Sequence, residues 1–235
     1  MKRRFATMVM AAAGALASLS PANAASFTLH FGAGSESSNP VATGAAATVS
    51  FATEDTQDGD VRLILTLTNT TGEVVFGAGS TEAGFTGFAF DLLDDVTVRS
   101  SALGTAFNTL VTDLSFVPFS NRSEIGVFDL GLSDNRSFNG RNAAEALGAG
   151  ESETVSLLLD TDLDALTLLT TYLAAFTSGD VDAAVRFQQT NRGDGSDKLL
   201  LGSITDDLNP VPVPGALVLF GTALASAAAA RRRAR

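Results

Sequence analysis

The chain has 235 residues and no cysteine, which excludes disulfide bonds, thiol catalysis and iron–sulfur ligation. Seven of its 15 lysines and arginines lie in the two terminal segments, which leaves eight against all 26 acidic residues and gives the central region a net charge of −18. Such a surface, without any basic patch, excludes nucleic-acid binding and is repelled by anionic membranes.

Residues 1–24 have the three-part pattern of a secretory signal peptide. The basic residues Lys2–Arg4 come first, an apolar run follows at 5–19, and the small residues Ala22 and Ala24 frame a cleavage site. We expect cleavage directly after Ala24. The pattern predicts that the rest of the chain is exported across the inner membrane.

Alternation of apolar and polar residues dominates the region 25–208. Val61–Thr68 is the clearest case, because every second residue is apolar and the turn residues Asn69–Gly72 follow it. Similar short segments lie at 27–31, 48–52, 88–92, 96–98, 125–127, 155–159, 183–187 and 199–201.

Short strands separated by connections rich in Gly, Ser, Asn and Asp are typical of two antiparallel sheets packed face to face. We therefore predict that residues 25–208 form an all-β domain, an antiparallel β-sandwich of the immunoglobulin- or cohesin-like jelly-roll class. A closed barrel is the alternative arrangement of the same strands.

One segment follows a helical period instead. From Leu163 to Phe176 the apolar residues recur every three or four positions, and Asp160, Thr161 and Asp162 precede them as candidate N-caps. We predict a single amphipathic helix that lies over one end or one edge of the sandwich. A further strand at 166–173 is the alternative, because threonine is frequent there.

The same acidic stretch is the best candidate for a calcium site. Asp160, Asp162 and Asp164 occupy the first, third and fifth positions of an EF-type loop, which collects a hard cation through oxygen ligands. However, the sixth position is Ala165 instead of Gly and the twelfth is Thr171 instead of Glu. Capping of the following helix accounts for these carboxylates better, since the helix dipole favours negative charge there.

Two further acidic turns, at 54–60 and 194–197, are weaker cation candidates that turn chemistry alone explains.

Catalytic constellations are scarce. His30 is the one histidine in the chain, and its place between Leu29 and Phe31 predicts an outward-facing strand residue instead of a catalytic base. With 16 phenylalanines, one tyrosine (Tyr172) and no tryptophan, the aromatic residues are expected in the core, which leaves few for a sugar-binding face. We therefore predict a protein that is not an enzyme and needs no cofactor, with calcium as a weak possibility.

Residues 209–235 form a second targeting segment. A motif of alternating prolines precedes an apolar run at 215–230, which as a helix reaches about 24 Å, slightly short of the roughly 30 Å hydrocarbon core of a bilayer. The chain closes on arginines, which favour the cytoplasmic side and act as a stop-transfer cluster. The motif comprises Val211, Pro212, Val213, Pro214 and Gly215, and the cluster comprises Arg231, Arg232, Arg233 and Arg235.

This order of motif, apolar run and arginine cluster, paired with a signal peptide, resembles the PEP-CTERM sorting signal in its VPLPA-type variant. Val213 and Gly215 depart from the usual residues of that motif. The resemblance implies an exosortase-type sorting enzyme as partner, transient anchoring in the inner membrane, and a bacterium that makes exopolysaccharide.

The sequence therefore predicts a structural or adhesive protein of the cell surface or of the extracellular, exopolysaccharide-rich biofilm matrix. The alternatives are a carbohydrate-binding module, which needs a planar row of exposed aromatic rings, and a surface-glycan hydrolase. The hydrolase would need two carboxylates converging at about 5 to 9.5 Å, and sequence spacing does not test that.

Overall fold

A computed structural model of the protein describes residues 25–115, 127–134, 145–191 and 195–208. Within these ranges the chain forms eleven strands and one helix. In chain order they are β1 (Ser26–Phe31), β2 (Ala47–Asp55), β3 (Val61–Asn69), β4 (Gly84–Phe90), β5 (Thr97–Ala102), β6 (Thr109–Ser115), β7 (Val127–Ser133), β8 (Ser152–Asp160), α1 (Ala165–Ser178), β9 (Ala183–Thr190), β10 (Gly195–Leu200) and β11 (Ser203–Asp207).

The described strands pair into two separate antiparallel sheets. Sheet A has the order β11-β1-β2-β3-β8-β5, and sheet B has the order β10-β9-β4-β7-β6. One hydrophobic core contains side chains from both sheets. The prediction of an all-β sandwich is confirmed, and these strands do not close into a barrel.

The alternation that predicted the strands also fixes which face of each strand is buried. In β3, Val61, Leu63, Leu65 and Leu67 are at most 1% exposed, while the residues between them face outward. β1 follows the same rule, so His30 lies on the outward face of sheet A as predicted. Period-two patterning thus reflects burial of one face of sheet A.

The sequence pattern did not predict two of the described strands, β6 and β11. β11 is exposed along most of its length and carries no apolar alternation, because it is an edge strand of sheet A. β6 is an edge strand of sheet B, and Asp113 within it has a φ of 52°, which interrupts the regular extended backbone. Of the segment predicted at 125–127, Val127 begins β7 and residue 125 lies outside the described residues.

The predicted helix is present as α1, and the alternative of a strand at 166–173 is wrong. The candidate caps Asp160, Thr161 and Asp162 lie two or more residues too early, whereas the capping role expected of the Asp164 carboxylate is confirmed. The N-cap is Asp164, whose carboxylate accepts a hydrogen bond from the Thr167 N–H at 2.9 Å. At the other end Gly179, with a φ of 80°, donates its N–H to the Ala175 carbonyl and ends the helix.

Helix α1 contributes its apolar face to the core at the end of the sandwich where β8 finishes. Its Tyr172 and Phe176 rings lie 6.0 Å and 5.6 Å from the ring of Phe51 in β2. The Phe51 ring also contacts Phe27 of sheet A at 4.9 Å and Phe90 of sheet B at 5.7 Å. One aromatic ring therefore touches both sheets and the helix.

The register of sheet A distinguishes two ends of the domain. Ser26 pairs with Asp207, so β1 begins and β11 ends side by side, and α1 starts at this same end. We call it the terminal end. The loops 32–46 and 70–83 follow β1 and β3 at the opposite end, which we call the distal end. By its internal contacts, Ala24–Pro210 is one compact unit that contains all the described strands and their core.

Replacing Phe51 should strongly destabilise the domain. We expect Phe51→Ala to lower the free energy of unfolding by about 3–5 kcal/mol, because it removes a fully buried ring and leaves a cavity between both sheets and the helix. Urea denaturation monitored by circular dichroism measures this change. Phe76→Ala, in a partly exposed loop ring, is the matched control and should cost much less; equal losses would contradict the central role of Phe51.

Candidate functional site

The residues that the sequence assigns to export and sorting lie outside the described part of the chain. They are Ala22, Ala24, Val211, Pro212, Val213, Pro214, Gly215, Arg231, Arg232, Arg233 and Arg235. Both targeting segments therefore stay predictions. Among the described residues, no helix has the length and apolar character needed to cross a bilayer.

An acidic cleft of about 450 Å³ lies at the terminal end. Asp94, Asp95, Asp160 and Asp162 line it. The guanidinium of Arg99 lies 3.2 Å from the Asp160 carboxylate and also bonds Asp60 at 2.8 Å. These two carboxylates raise the pKa of Arg99. Asp160 of β8 thus forms an ion pair with Arg99 of the neighbouring strand β5.

Asp164 differs from Asp160 because it caps the N-terminus of α1. The backbone N–H of Thr167 and the hydroxyl of the same residue both donate to its carboxylate, at 2.9 Å and 2.7 Å, and they hold its pKa below the ordinary value. In the described ranges, no group of three or more acidic or histidine side chains is arranged to hold a metal ion. The structure does not bring Asp160, Asp162 and Asp164 together as one ligand set, and calcium binding stays a prediction.

His30 makes one side-chain contact that the structure describes. Its Nε2 lies 2.9 Å from the hydroxyl oxygen of Thr205 on the neighbouring edge strand β11. The contact is solvent-exposed and joins two outward-facing residues of sheet A. This environment suits a surface residue and contains no nucleophile paired with a buried acid.

Asp197, from the acidic turn predicted at 194–197, is a structural residue that the sequence analysis misread. Its side chain is 1% exposed. The carboxylate accepts hydrogen bonds from the Ser37 hydroxyl at 2.6 Å, from the Thr43 backbone N–H at 2.8 Å and from the Thr43 hydroxyl at 2.9 Å. Charge-assisted bonds of this kind are strong, so Asp197 ties the loop 32–46 to β10.

Glu153 plays a similar part for another loop at the distal end. Its carboxylate accepts the successive backbone N–H groups of Thr105, Ala106 and Phe107 at 2.6, 3.1 and 2.7 Å. A side chain at Gly104 would collide with this carboxylate. Glu153 lies on the same face of β8 as the buried Val155 and Leu157, near the start of the strand. Nothing in the sequence indicated that an acid there binds a loop.

A row of three carboxylates lies across sheet B at the terminal end. Asp129, Asp91 and Asp182 sit on the neighbouring strands β7, β4 and β9 or directly beside them. Burial raises the pKa of Asp91, and repulsion from the other two acids adds to this shift. The Tyr172 hydroxyl is buried near the row, and burial raises its pKa as well.

An open cavity of about 480 Å³ lies between α1 and the β10–β11 turn. Its lining combines the carboxylates of Asp182 and Asp206 with the apolar side chains of Leu173, Phe176 and Ile204. This mixture can accept hydrogen bonds from hydroxyl groups while it packs against an apolar surface.

The largest fully buried side chains are aromatic, as the composition predicted. They are Tyr172, Phe27, Phe31, Phe51, Phe85, Phe88, Phe90, Phe107, Phe128 and Phe187. These rings are unavailable for stacking on a flat ligand. The described residues consequently form no planar row of exposed aromatic rings of the kind that many sugar-binding surfaces would need.

Comparisons of the chain with known protein families, with curated proteins and with solved structures find no match in any of the three.

The buried carboxylate of Asp197 should be important for stability. We expect Asp197→Ala to lower the free energy of unfolding by about 3 kcal/mol, because the half-buried donors of Ser37 and Thr43 lose their charged acceptor. Chemical denaturation of the purified domain measures this loss. Ser196→Ala, at the exposed neighbouring position, is the control, and a loss no larger than that of the control would contradict the assignment.

The raised pKa of Asp91 predicts a pH dependence of stability. Burial disfavours the ionised form of Asp91 in the folded protein, so the protonated carboxyl favours folding relative to the carboxylate. This contribution to the free energy of unfolding is fully present below the ordinary pKa of 3.8, and it is lost as the pH rises through the raised pKa of the folded state. We therefore expect Asp91→Asn to become more stable relative to the wild type as the pH rises. Urea denaturation from about pH 4 to about pH 7 measures this difference.

The exposed variant Asp58→Asn, which also removes one carboxylate, is the matched control. A constant difference between Asp91→Asn and the wild type across this pH range would show that Asp91 ionises as readily in the folded protein as in the unfolded chain.

Proposed function

We propose that this protein is an exported structural or adhesive component of the cell surface or of an exopolysaccharide-rich extracellular matrix. The observation that carries the proposal is the pairing of two targeting segments around one β-sandwich: a signal peptide at 1–24 and a sorting signal at 209–235. An exosortase-type enzyme would process the second segment after the inner membrane has held it transiently. We further assign the sandwich to the immunoglobulin- or cohesin-like jelly-roll class.

The use of charged side chains in the domain supports a structural role. Asp197 and Glu153 hold loops, Asp164 caps the helix, and Arg99 bridges two acids. These groups orient the backbone, as expected of a domain whose task is to present a rigid surface.

The charge of the central region suits an extracellular matrix. A net charge of −18 on residues 25–210 keeps the domain soluble and discourages nonspecific association. Contact with a polysaccharide would then rely on hydroxyl groups and uncharged surface, because acidic sugars would be repelled.

A carbohydrate-binding module is the second candidate. The cavity beside α1 favours it, because the carboxylates of Asp182 and Asp206 lie next to the apolar side chains of Leu173 and Ile204. Sugars combine hydroxyl donors with apolar ring faces, which this lining would match. The burial of the aromatic core weighs against this candidate.

The mass and location of the mature protein test the proposal. We expect the full-length chain, expressed in its native cell type, to yield a surface or matrix species that starts at Ala25 and ends near Val211–Gly215. Fractionation of membrane, surface and medium followed by intact mass spectrometry measures this. Removal of the sorting enzyme should leave the unprocessed chain in the membrane.

A variant with Pro212→Ala and Pro214→Ala should block processing, because it destroys the proline motif. Pro210→Ala, just before the motif, is the matched control and should be processed normally. A mature species that retains Arg235 and stays in the membrane would contradict the sorting proposal. The tail would then be an ordinary membrane anchor of the domain.

A further inference from the structure

The outward face of sheet A carries an array of hydroxyl side chains in the half nearest the distal end. Residues of β11, β1, β2, β3 and β8 stand opposite one another in two adjacent rows, each five strands wide. Nine of the ten are serine or threonine, the tenth is His30, and all are half-buried or exposed. We call these residues the hydroxyl face. One row comprises Ser203, His30, Thr48, Thr68 and Ser152, and the other comprises Thr205, Thr28, Ser50, Thr66 and Thr154.

The hydroxyl face contains no Asp, Glu, Lys or Arg, although the central region as a whole has a net charge of −18. Charged side chains begin at its borders. Asp207 is the next outward residue on β11, Glu151 precedes Ser152, and the ion pair of Glu54 with Arg62 lies two rows towards the terminal end. A charged partner would find no lysine, arginine or carboxylate on this face, whereas a neutral partner rich in hydrogen-bonding groups matches it.

The hydroxyl groups pair across strands and keep spare hydrogen-bonding capacity. The hydroxyl oxygens of Thr28 and Ser50 lie 2.6 Å apart, and those of Thr68 and Ser152 lie 2.8 Å apart. Each hydroxyl has one donor and two acceptor lone pairs, so such a pair still offers one O–H donor and three lone pairs. The pairing also orders the side chains before a ligand binds, which lowers the entropy cost of binding.

The array repeats at regular intervals. Neighbouring strands lie about 4.8 Å apart, so a row of five strands spans about 19 Å. A repeating pattern of this length suits several units of a polymer better than one small molecule. Because a sheet twists by about 20–25° from strand to strand, each row follows a curved path that a single flexible chain can follow and a flat crystal face cannot.

A pocket of about 320 Å³ continues the hydroxyl face at the distal end, and we call it the distal pocket. His30, Thr48 and Ser203 line it from the face, while Phe76 and Glu73 line it from the loop that follows β3. The pocket therefore combines hydroxyl groups, one aromatic ring and one carboxylate acceptor. A sugar unit presents hydroxyl groups at its edge and apolar C–H groups on its faces, and this lining matches both.

The Phe76 ring is the partly exposed aromatic group of the distal pocket. It lies beside Gly32, where a Cβ atom would be 3.8 Å from two carbons of the ring and 3.3 Å from the Ala46 side chain. The small residues Gly32 and Ala46 thus leave the space beside the ring open. A sugar ring that enters the pocket can pack against Phe76.

The segment that carries Phe76 is held in place. The Gly79 N–H donates to the Phe76 carbonyl at 2.8 Å, and the Ser80 N–H donates to the Thr43 carbonyl at 2.9 Å. Asp197 of β10 in turn accepts the backbone N–H and the hydroxyl of Thr43. A pocket wall tied to the body of the domain in this way loses little conformational entropy when a ligand binds.

We propose that the distal pocket and the hydroxyl face together bind one chain of a neutral polysaccharide. One sugar unit occupies the pocket against Phe76, and the units that follow run across the strands and exchange hydrogen bonds with the two rows. Acidic polysaccharides are disfavoured, because the domain is strongly acidic and the face offers no lysine or arginine. The role of this chain as a matrix component rests on the proposed function, whereas the binding itself does not.

Affinity electrophoresis of the compact unit Ala24–Pro210 tests the binding. Native gels contain galactomannan, glucomannan, dextran or a soluble β-glucan as neutral probes, and alginate as the acidic probe. We expect at least one neutral polymer to retard the domain and alginate to leave its mobility unchanged. Retardation by none of the four neutral polymers, or by alginate as strongly as by a neutral one, would overturn the proposal.

Two variants test the two parts of the site. The triple variant Thr28→Val, Thr66→Val and Thr154→Val removes three hydroxyl groups of one row and keeps β-branched side chains. We expect it to raise the dissociation constant of the retarding polymer about tenfold or more, because three hydrogen bonds are lost. Phe76→Ala should weaken binding to a similar extent. Unchanged affinity in either variant would overturn the proposal.

Matched controls accompany both variants. Thr97→Val with Thr170→Val and Thr171→Val removes three exposed hydroxyl groups outside the site. Val75→Ala truncates an exposed neighbour of Phe76 that does not line the distal pocket. Both controls should bind like the wild type, and a loss equal to that of the site variants would contradict the assignment. Thermal melting confirms that each variant is folded.

Two further results would place the ligand elsewhere and overturn the proposal. One is a loss of binding in Asp206→Ala, which alters the cavity beside α1, while the hydroxyl-face variants still bind. The other is binding to microcrystalline cellulose without binding to any soluble chain. The purified domain is used in every case, so the result does not depend on either targeting segment, which the mass measurement tests separately.

Discussion

The packing of the Phe51 ring is the constraint on which the rest of the domain depends. It brings Phe27, Phe90 and Phe176 to one place, so sheet A, sheet B and the helix share a single aromatic contact. Aromatic rings in tilted and edge-on contact add specific geometry to simple burial. Because the chain has no cysteine, no disulfide bond can fix the sheets and the helix relative to one another. The packing of the phenylalanine rings fixes them instead.

Around this apolar centre, carboxylates organise the loops. Asp197 and Glu153 each accept hydrogen bonds from backbone groups of a distant segment, and Asp164 does so for the first turn of the helix. Some of the many acidic side chains therefore stabilise the fold of the domain itself. The same residue type that keeps copies of the domain apart also fixes the loops at its distal end.

The sequence predicted what depends on local periodicity and missed what depends on distant partners. β3 and α1 were predicted because burial of one face imposes a period on neighbouring residues. The exposed edge strands have no such period. Asp197 appeared to be a turn residue because its partner Ser37 is 160 positions away in the chain. The exposure of Val41 and Val75 likewise depends on how the loops fold, and no local pattern indicated it.

The side-by-side placement of the first and last strands has a mechanical consequence. β11 is an edge strand held to β1 through five residue pairs, from Ser26–Asp207 to His30–Ser203. A pull between the end of β11 and the distal loops runs parallel to these strands, so it loads the hydrogen bonds of the pair together in shear. Rupture then requires many bonds to fail at once, whereas peeling would break them one by one.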